Sequence, residues 1–334
     1  METISLEHGS GGLLTARLVQ ELFYRQFSNA YLLEAHDSAC LPVLKGRPAF
    51  TTDSYVVNPL FFPGGNIGRL AVCGTVNDLS MSGARPLYLS CGFIIEAGLP
   101  VSVLEAVIAA MAEAAREAGV LIVTGDTKVV ESGAADKLFI NTAGIGEITA
   151  NTDISGSKAL PGDIVIASGS LGDHGMAIML QRHHLQISNA VKSDCQALNS
   201  LVQAMLAACP GIRVLRDPTR GGAATALNEI AGQSRVGIEL YEDKLPVDRE
   251  VRALCEVLGL DPLYLANEGK LLAVVPAAAA EAVLAVVRSH PAGREGAVIG
   301  RVVDHPPGRV YVRTVIGGQR IVDQMSGDPL PRIC

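Results

Sequence analysis

The chain has no tryptophan, and aromatic residues fill only 4% of its 334 positions. It has no Cys-x-x-Cys pair, and its seven cysteines are widely scattered. That odd, dispersed set excludes a disulfide framework and points to reduced thiols in a cytoplasm. Cationic clusters are missing too. With 27 Lys and Arg against 34 Asp and Glu, the formal net charge is −7. A duplex-binding face, which needs clustered Lys and Arg, is therefore excluded. No apolar run reaches the ~20 residues of a membrane span. The longest, Leu271–Val287, is interrupted by Pro276 and Glu281. It reads as a strand, Leu271–Val275, followed by a helix, Ala277–Val287. The opening Met1-Glu2-Thr3-Ile4 lacks the basic and apolar regions of a secretory leader. Neither GxGxxG nor GxxxxGK[ST] occurs, so any nucleotide must be held by a different loop.

What is present is glycine and small apolar residues. The chain has 35 glycines, is 49% hydrophobic and only 18% charged. That profile suits a compact α/β protein with many tight turns. The length predicts two domains, because single cores seldom grow past ~250–300 residues. A polar Ser/Gly/Pro stretch, Asn151–Gly162, marks the junction. We divide the chain into an N-terminal domain (1–150), a C-terminal α/β domain (151–305) and a terminal segment (306–334). In the first part, apolar spacing predicts helices at Leu13–Phe27, Asn66–Ser80 and Val103–Ala118, the last closed by Gly119. Strands are expected around Asp53 and at Tyr88–Ile95, Val120–Thr124 and Leu138–Gly146. In the second, strands fall at Ile164–Ala167, Val236–Leu240, Leu271–Val275 and Val298–Val303. Helices are expected at Ala177–His183, Cys195–Ala208 and Ala223–Ala231. Alternation of strand and helix implies mixed α/β layers. From Asp304 the chain reads as irregular, and Ser326–Cys334 as a free tail.

Four carboxylates stand at expected strand or helix ends among small residues: Asp37, Asp53, Asp78 and Asp126. Mg²⁺ takes oxygen ligands and commonly only one or two carboxylates, leaving phosphate oxygens and water to complete its shell. Convergence of these Asp residues would suit Mg²⁺ and a triphosphate. Asp is also common at caps and turns, so each one alone is open to that reading. Gly11 and Gly12, in His8–Gly12, could lay backbone amides around phosphates at a helix N-terminus, or simply form a turn. Lys128 and Glu268 each stand alone among apolar or small residues. Cys334 is a movable thiol at the end of the tail.

Several stretches resemble one family closely: Phe50–Pro59 (FTTDSYVVNP), Gly64–Gly83, Val123–Val129 (VTGDTKV), Ser168–Gly175 (SGSLGDHG), Arg216–Gly222 (RDPTRGG) and the final Pro-Arg-Ile-Cys. They look like the hydrogenase maturation factors of the HypE family, carbamoyl dehydratases. That family sits in the PurM-like ATP-binding superfamily with aminoimidazole ribotide synthetase, selenophosphate synthetase and thiamine-phosphate kinase. The resemblance covers essentially the whole chain. It implies a two-domain PurM-like α/β fold, each domain a mixed sheet packed with helices. N-terminal sheets would form a β-barrel at a homodimer interface. It implies ATP and Mg²⁺, with Asp37, Asp53 and Asp78 on metal and phosphate, and Asn77, Asp126 and Asp217 beside them. It maps the reactive thiol onto Cys334 and sets Lys128 and Glu268 near the thiol-bound group. A carbamoyltransferase (HypF) would load the thiol. The S-carboxamide would be dehydrated to a thiocyanate, and an iron-carrying HypC–HypD complex would accept the cyanide for the [NiFe]-hydrogenase centre. A small-molecule kinase or synthetase of the same superfamily would need the same Asp set but no such thiol. A non-catalytic scaffold would bind ATP without turnover.

Overall fold

A computed structural model describes residues 3–148, 152–183, 191–325, 327 and 332–334. Asn151 of the predicted junction, and Ser326, Pro329 and Pro331 of the predicted tail, lie outside the described residues.

The N-terminal part is built on a four-stranded sheet ordered Arg47–Tyr55, Leu138–Ile148, Arg85–Glu96, Leu121–Val130. Only the last pair is parallel. Two helices cover one face, Ile67–Met81 and Val101–Ala118. The first begins where Asn66 accepts hydrogen bonds from the Gly68 and Arg69 amides, which fills two otherwise orphaned donors. The second ends at Gly119, left-handed at φ 69°. A further helical run, Leu13–Phe27, has a π-helical middle at Val19–Tyr24. Pairing shows which side chains share a face, because directly opposed residues do. One transverse row, Phe50, Ile145, Tyr88 and Leu121, lies on the face away from the helices. Phe50 there is 70% exposed. No closed barrel forms within the described residues of this one chain.

The C-terminal part is a seven-stranded mixed sheet, ordered Gln319–Val322, Arg309–Arg313, Gly237–Tyr241, Ala297–Val303, Ile164–Ala167, Leu272–Val275, Val214–Arg216. Its strands alternate between two cores. Val165, Leu272 and Val274 pack with the helix Gly222–Ser234 on one face. Ile166, Ala273 and Val275 pack on the other with the helices Asn199–Ala208 and Ala280–Ser289. Burial on both faces explains the continuous apolar runs in these strands.

Three expectations are corrected. The stretch after Asp304 is not irregular, because Arg309–Arg313 and Gln319–Val322 complete the large sheet. Arg309–Arg313 alternates too little in polarity, and the other strand is too short, to stand out. The strand expected at Val120–Thr124 continues to Val130, so Asp126 and Lys128 are mid-strand. The end of the tail is not free: Ile333 is only 4% exposed and joins the N-terminal core. Among the described residues, no helix is long and apolar enough to cross a membrane.

Candidate active site

A cavity of about 200 Å³ lies between the two parts, lined by Thr52, Asp53, Gly74, Asp78, Asp217, Thr219, Arg220, Glu268 and Cys334. Five separate segments supply it. Asp53 projects from the strand Arg47–Tyr55 toward the helix that carries Asp78. Thr51, two residues earlier on the same face, donates its hydroxyl to Asp78 Oδ2 at 2.9 Å. Neither Asp sits at an element end: Asp53 is inside a strand and Asp78 inside a helix. Their access comes from Gly74, one turn before Asp78. A Cβ at Gly74 would come within 2.2 Å of Tyr55 Oη, so no side chain can fill that corner.

The Asp217–Gly222 turn enters from the other side. It is pinned by Asn267, whose side-chain amide donates to the Pro218 carbonyl at 3.2 Å while its oxygen accepts from the Gly172 amide at 2.7 Å. Gly222, at φ 61°, would place a Cβ 2.5 Å from the Leu263 and Leu265 carbonyls, so only glycine fits this turn. Asp217 is pushed up to about 7 by burial and then by the Asp78 charge. Burial, offset by the Thr51 hydrogen bond, also raises Asp78.

Glu268 is almost wholly buried, and its Oε1 has no hydrogen-bond partner. Burial pushes it well above the usual carboxylate range, followed by the charges of Asp194, Asp217, Asp53 and Asp78. An orphaned carboxylate oxygen facing like charges is costly unless something cationic or protonated arrives. The donor set of carboxylates and hydroxyls suits a hard cation. Among the described residues, no three His, Cys, Asp or Glu side chains converge tightly enough to hold a metal by themselves. Among the described residues, Arg220 is the one cationic residue lining the cavity.

Cys334 reaches this cavity because its backbone is tied to residues 56–58, which follow the edge strand. The Val56 amide donates to the Cys334 carbonyl at 3.0 Å, and the Asn58 amide to the Arg332 carbonyl at 3.4 Å. The Arg332 guanidinium donates to the Val56 carbonyl at 2.9 Å and pairs with Asp136 at 2.7 Å.

The structure therefore unites Asp53, Asp78, Asp217, Glu268 and Cys334, and leaves other expected residues elsewhere. Asn77 is fully buried and does not line the cavity. Its amide nitrogen donates to the Gln196 and Glu268 carbonyls, both at 3.1 Å, and its oxygen accepts from the Leu198 amide at 2.8 Å. It is a strut between the two parts that also fixes the Glu268 backbone. Lys128 and Asp126 pair with each other at 2.8 Å, with Lys128 64% exposed. Their strand is at the far edge from that of Asp53, three strand spacings or roughly 14 Å away. They also face the opposite side: Asp126 shares a row with Gly92, Asn141 and Ser54, whereas Asp53 opposes Thr142. Asp37 is exposed and outside the cavity. Its neighbours His36 and Ser38 line, with Asp126, a second cavity of about 220 Å³. Gly11 and Gly12 are exposed at the start of the helix Leu13–Leu18, where the Gly11 amide donates to Thr15 Oγ1 at 3.0 Å. Arg220, Asn267 and Asp194 went unrecognised. The first lay in a quoted motif; a lone Asn and a lone Asp carry no sequence signal.

This geometry defines a two-domain α/β protein with a carboxylate-lined cleft between its parts. Models of AIR synthase related proteins match it: the N-terminal domain over residues 35–148 and the C-terminal domain over 161–313. Carbamoyl dehydratase HypE from Cupriavidus necator is 53% identical over 99% of this chain and 95% of its own length. A crystal structure of hydrogenase maturation protein HypE in complex with ATP superposes with a TM-score of 0.96, at 53% identity over 99% of this chain and all of that one. HypE in a HypE–HypF complex matches with a TM-score of 0.82, at 50% identity over 92% of this chain and 99% of that chain. The chain belongs to the HypE carbamoyl dehydratase family, a family of enzymes in hydrogenase maturation.

Proposed function

We propose that this chain converts an S-carboxamide on Cys334 to a thiocyanate, using one ATP for each nitrile. The observation that carries this reading is the shared cavity. Cys334 stands beside an acidic cluster and a buried Glu268 whose Oε1 has no hydrogen-bond partner. The HypE relative whose structure contains ATP supports the nucleotide.

Direct loss of the carbonyl oxygen as hydroxide is prohibitive, so it must first become a phosphate. The carboxamide oxygen attacks the γ-phosphorus of ATP and ADP leaves. The C–O bond then breaks, phosphate departs, and the two N–H protons are lost in turn to leave S–C≡N. Asp53 and Asp78 would hold Mg²⁺, which neutralises phosphate charge when bound. Glu268, held above the usual carboxylate range by burial, takes an N–H proton once it is ionised. Arg220 offers a fork of donors to the departing phosphate. The Asp217–Gly222 turn closes the cavity around these groups.

The HypF bound to a relative fits a carbamoyltransferase that loads Cys334. The cyanide would pass to an iron-carrying HypC–HypD complex. A homodimer formed through the Phe50–Leu121 face would build the barrel and turn Asp126 and Lys128 toward a second copy. That arrangement gives Lys128 and Asp37 a route to a composite site, and reduced thiols fit a cytoplasmic setting. The test is intact-mass spectrometry after incubation with carbamoyltransferase, carbamoyl phosphate and Mg-ATP. A carboxamide gain followed by water loss, both on the Cys334 peptide, is expected. ATP turnover that survives in Cys334→Ser with a small-molecule acceptor would replace this reading with a kinase or synthetase.

A further inference from the structure

His174 lies in the Ser168–Gly175 stretch, and no step of the proposed chemistry uses it. Its imidazole is fully buried, yet both ring nitrogens are engaged. Nε2 is 2.8 Å from the Ile333 carbonyl oxygen, and Nδ1 is 2.8 Å from Ser193 Oγ. A carbonyl only accepts, so Nε2 carries the proton. Ser193 Oγ already accepts the Cys195 amide at 3.1 Å, so its own hydroxyl donates to Nδ1. Phe62 meets the ring edge-on, with centroids 5.5 Å apart. Ring orientation and tautomer are thus both set by neighbours. Burial also holds the imidazole below its ordinary pKa, so it stays neutral.

The carbonyls of the chain end divide by direction. Those of Arg332 and Cys334 point to the Val56–Asn58 backbone, and Arg182 adds a donor to Arg332. The Ile333 carbonyl points elsewhere, after a turn in which Arg332 is left-handed at φ 56°. Its partner among the described residues is His174. The Ile333 side chain meanwhile is buried in the N-terminal core. Residues 332–334 are thus held from two sides, and Cys334 lines the cavity with Glu268.

We propose that His174 is a positioning residue for Cys334: by capturing the Ile333 carbonyl it turns the chain so that the thiol enters the acidic cavity beside Glu268. Its relevance to dehydration rests on the function proposed above, whereas the docking itself does not. The hydrogen bond counts only while the tail is in, so His174 sets how long the thiol stays.

The test uses the full-length protein with His174→Leu, His174→Asn and His174→Gln. Gln can place an amide donor near the Nε2 position; Asn is as polar but falls short; Leu fills the volume with no donor. The first readout is the rate of Cys334 alkylation by iodoacetamide, followed by peptide mapping. The second is nitrile yield after carbamoylation, with Mg-ATP affinity measured alongside. Leu and Asn should react about tenfold faster at Cys334 than wild type, the factor expected for one lost buried hydrogen bond. Their nitrile yield per ATP should fall in step, with Mg-ATP affinity unchanged. Gln should stay within about twofold of wild type. Equal behaviour of Gln and Asn, or wild-type alkylation in Leu with intact ATP binding, overturns the proposal. If wild type makes no nitrile but Leu and Asn expose the thiol and Gln does not, the docking role stands and the dehydratase reading falls.

Discussion

Replacing Asn77 with alanine separates a strut from a ligand. The side chain makes three hydrogen bonds to backbone groups of the C-terminal part, two to carbonyls and one from an amide. Truncation leaves all three groups in a dry interface, at about 1–3 kcal/mol each before relaxation. Relaxation and water entry recover part of this, so a net loss of ~3–5 kcal/mol is expected. At roughly 2–4 °C per kcal/mol for a domain of this size, the apo melting temperature should fall by about 10 °C. Differential scanning calorimetry measures it directly, with and without saturating Mg-ATP. A strut predicts a lower apo midpoint that Mg-ATP still raises by the wild-type amount. A phosphate ligand predicts an unchanged apo midpoint and a smaller rise. Asn77→Asp sharpens the contrast, because a carboxylate facing two carbonyls should destabilise at least as much as alanine. An apo midpoint within about 2 °C of wild type in either variant would refute the reasoning.

Asp78→Asn keeps an acceptor for Thr51 but removes one like charge, so apo stability should rise slightly while phosphate release from ATP is lost; retained turnover would remove Asp78 from the metal–phosphate site. Glu268→Gln should be carbamoylated normally yet stall before nitrile, because loading needs only the thiol and elimination needs a base; wild-type nitrile on mass mapping would place the base elsewhere. Gly222→Ala should cost several kcal/mol in urea unfolding, since the new Cβ meets two carbonyls at 2.5 Å in a left-handed turn; a loss below about 1 kcal/mol would contradict that packing. Asp217 near 7 and Asp173 near 6 both bind protons more tightly folded than unfolded. Stability from these groups is therefore greatest at low pH and declines as pH rises toward 7. The apo melting temperature should be lower at pH 7.5 than at pH 5.5, and Mg-ATP should flatten the slope; a rise over that interval would reverse the sign.

Local chemistry made part of this legible in the chain itself. The 3.6-residue spacing of Ile67, Leu70, Ala71 and Gly74 and the Gly119 stop marked two helices to within a few residues. The apolar runs at 164–167 and 272–275 marked strands buried on both faces. Asp53, Asp78, Glu268 and Cys334 were singled out by residue type and setting, and Asp217 by the family resemblance. What a chain cannot show is which of its surfaces meet. Asp53 and Asp126 looked equivalent in sequence, and sheet register put them on opposite faces at opposite edges. Asn77, adjacent to Asp78, looked like part of the same site. A step of ~100° around a helix turned it into the interface with residues 196, 198 and 268. The tail read as free because its few polar residues have no periodic pattern, yet its carbonyls find donors on Val56, Asn58, His174 and Arg182. Periodicity and capping are set within a few residues, so sequence alone determines them. Convergence of five distant segments on one cavity depends on long-range packing, and only the folded chain decides it.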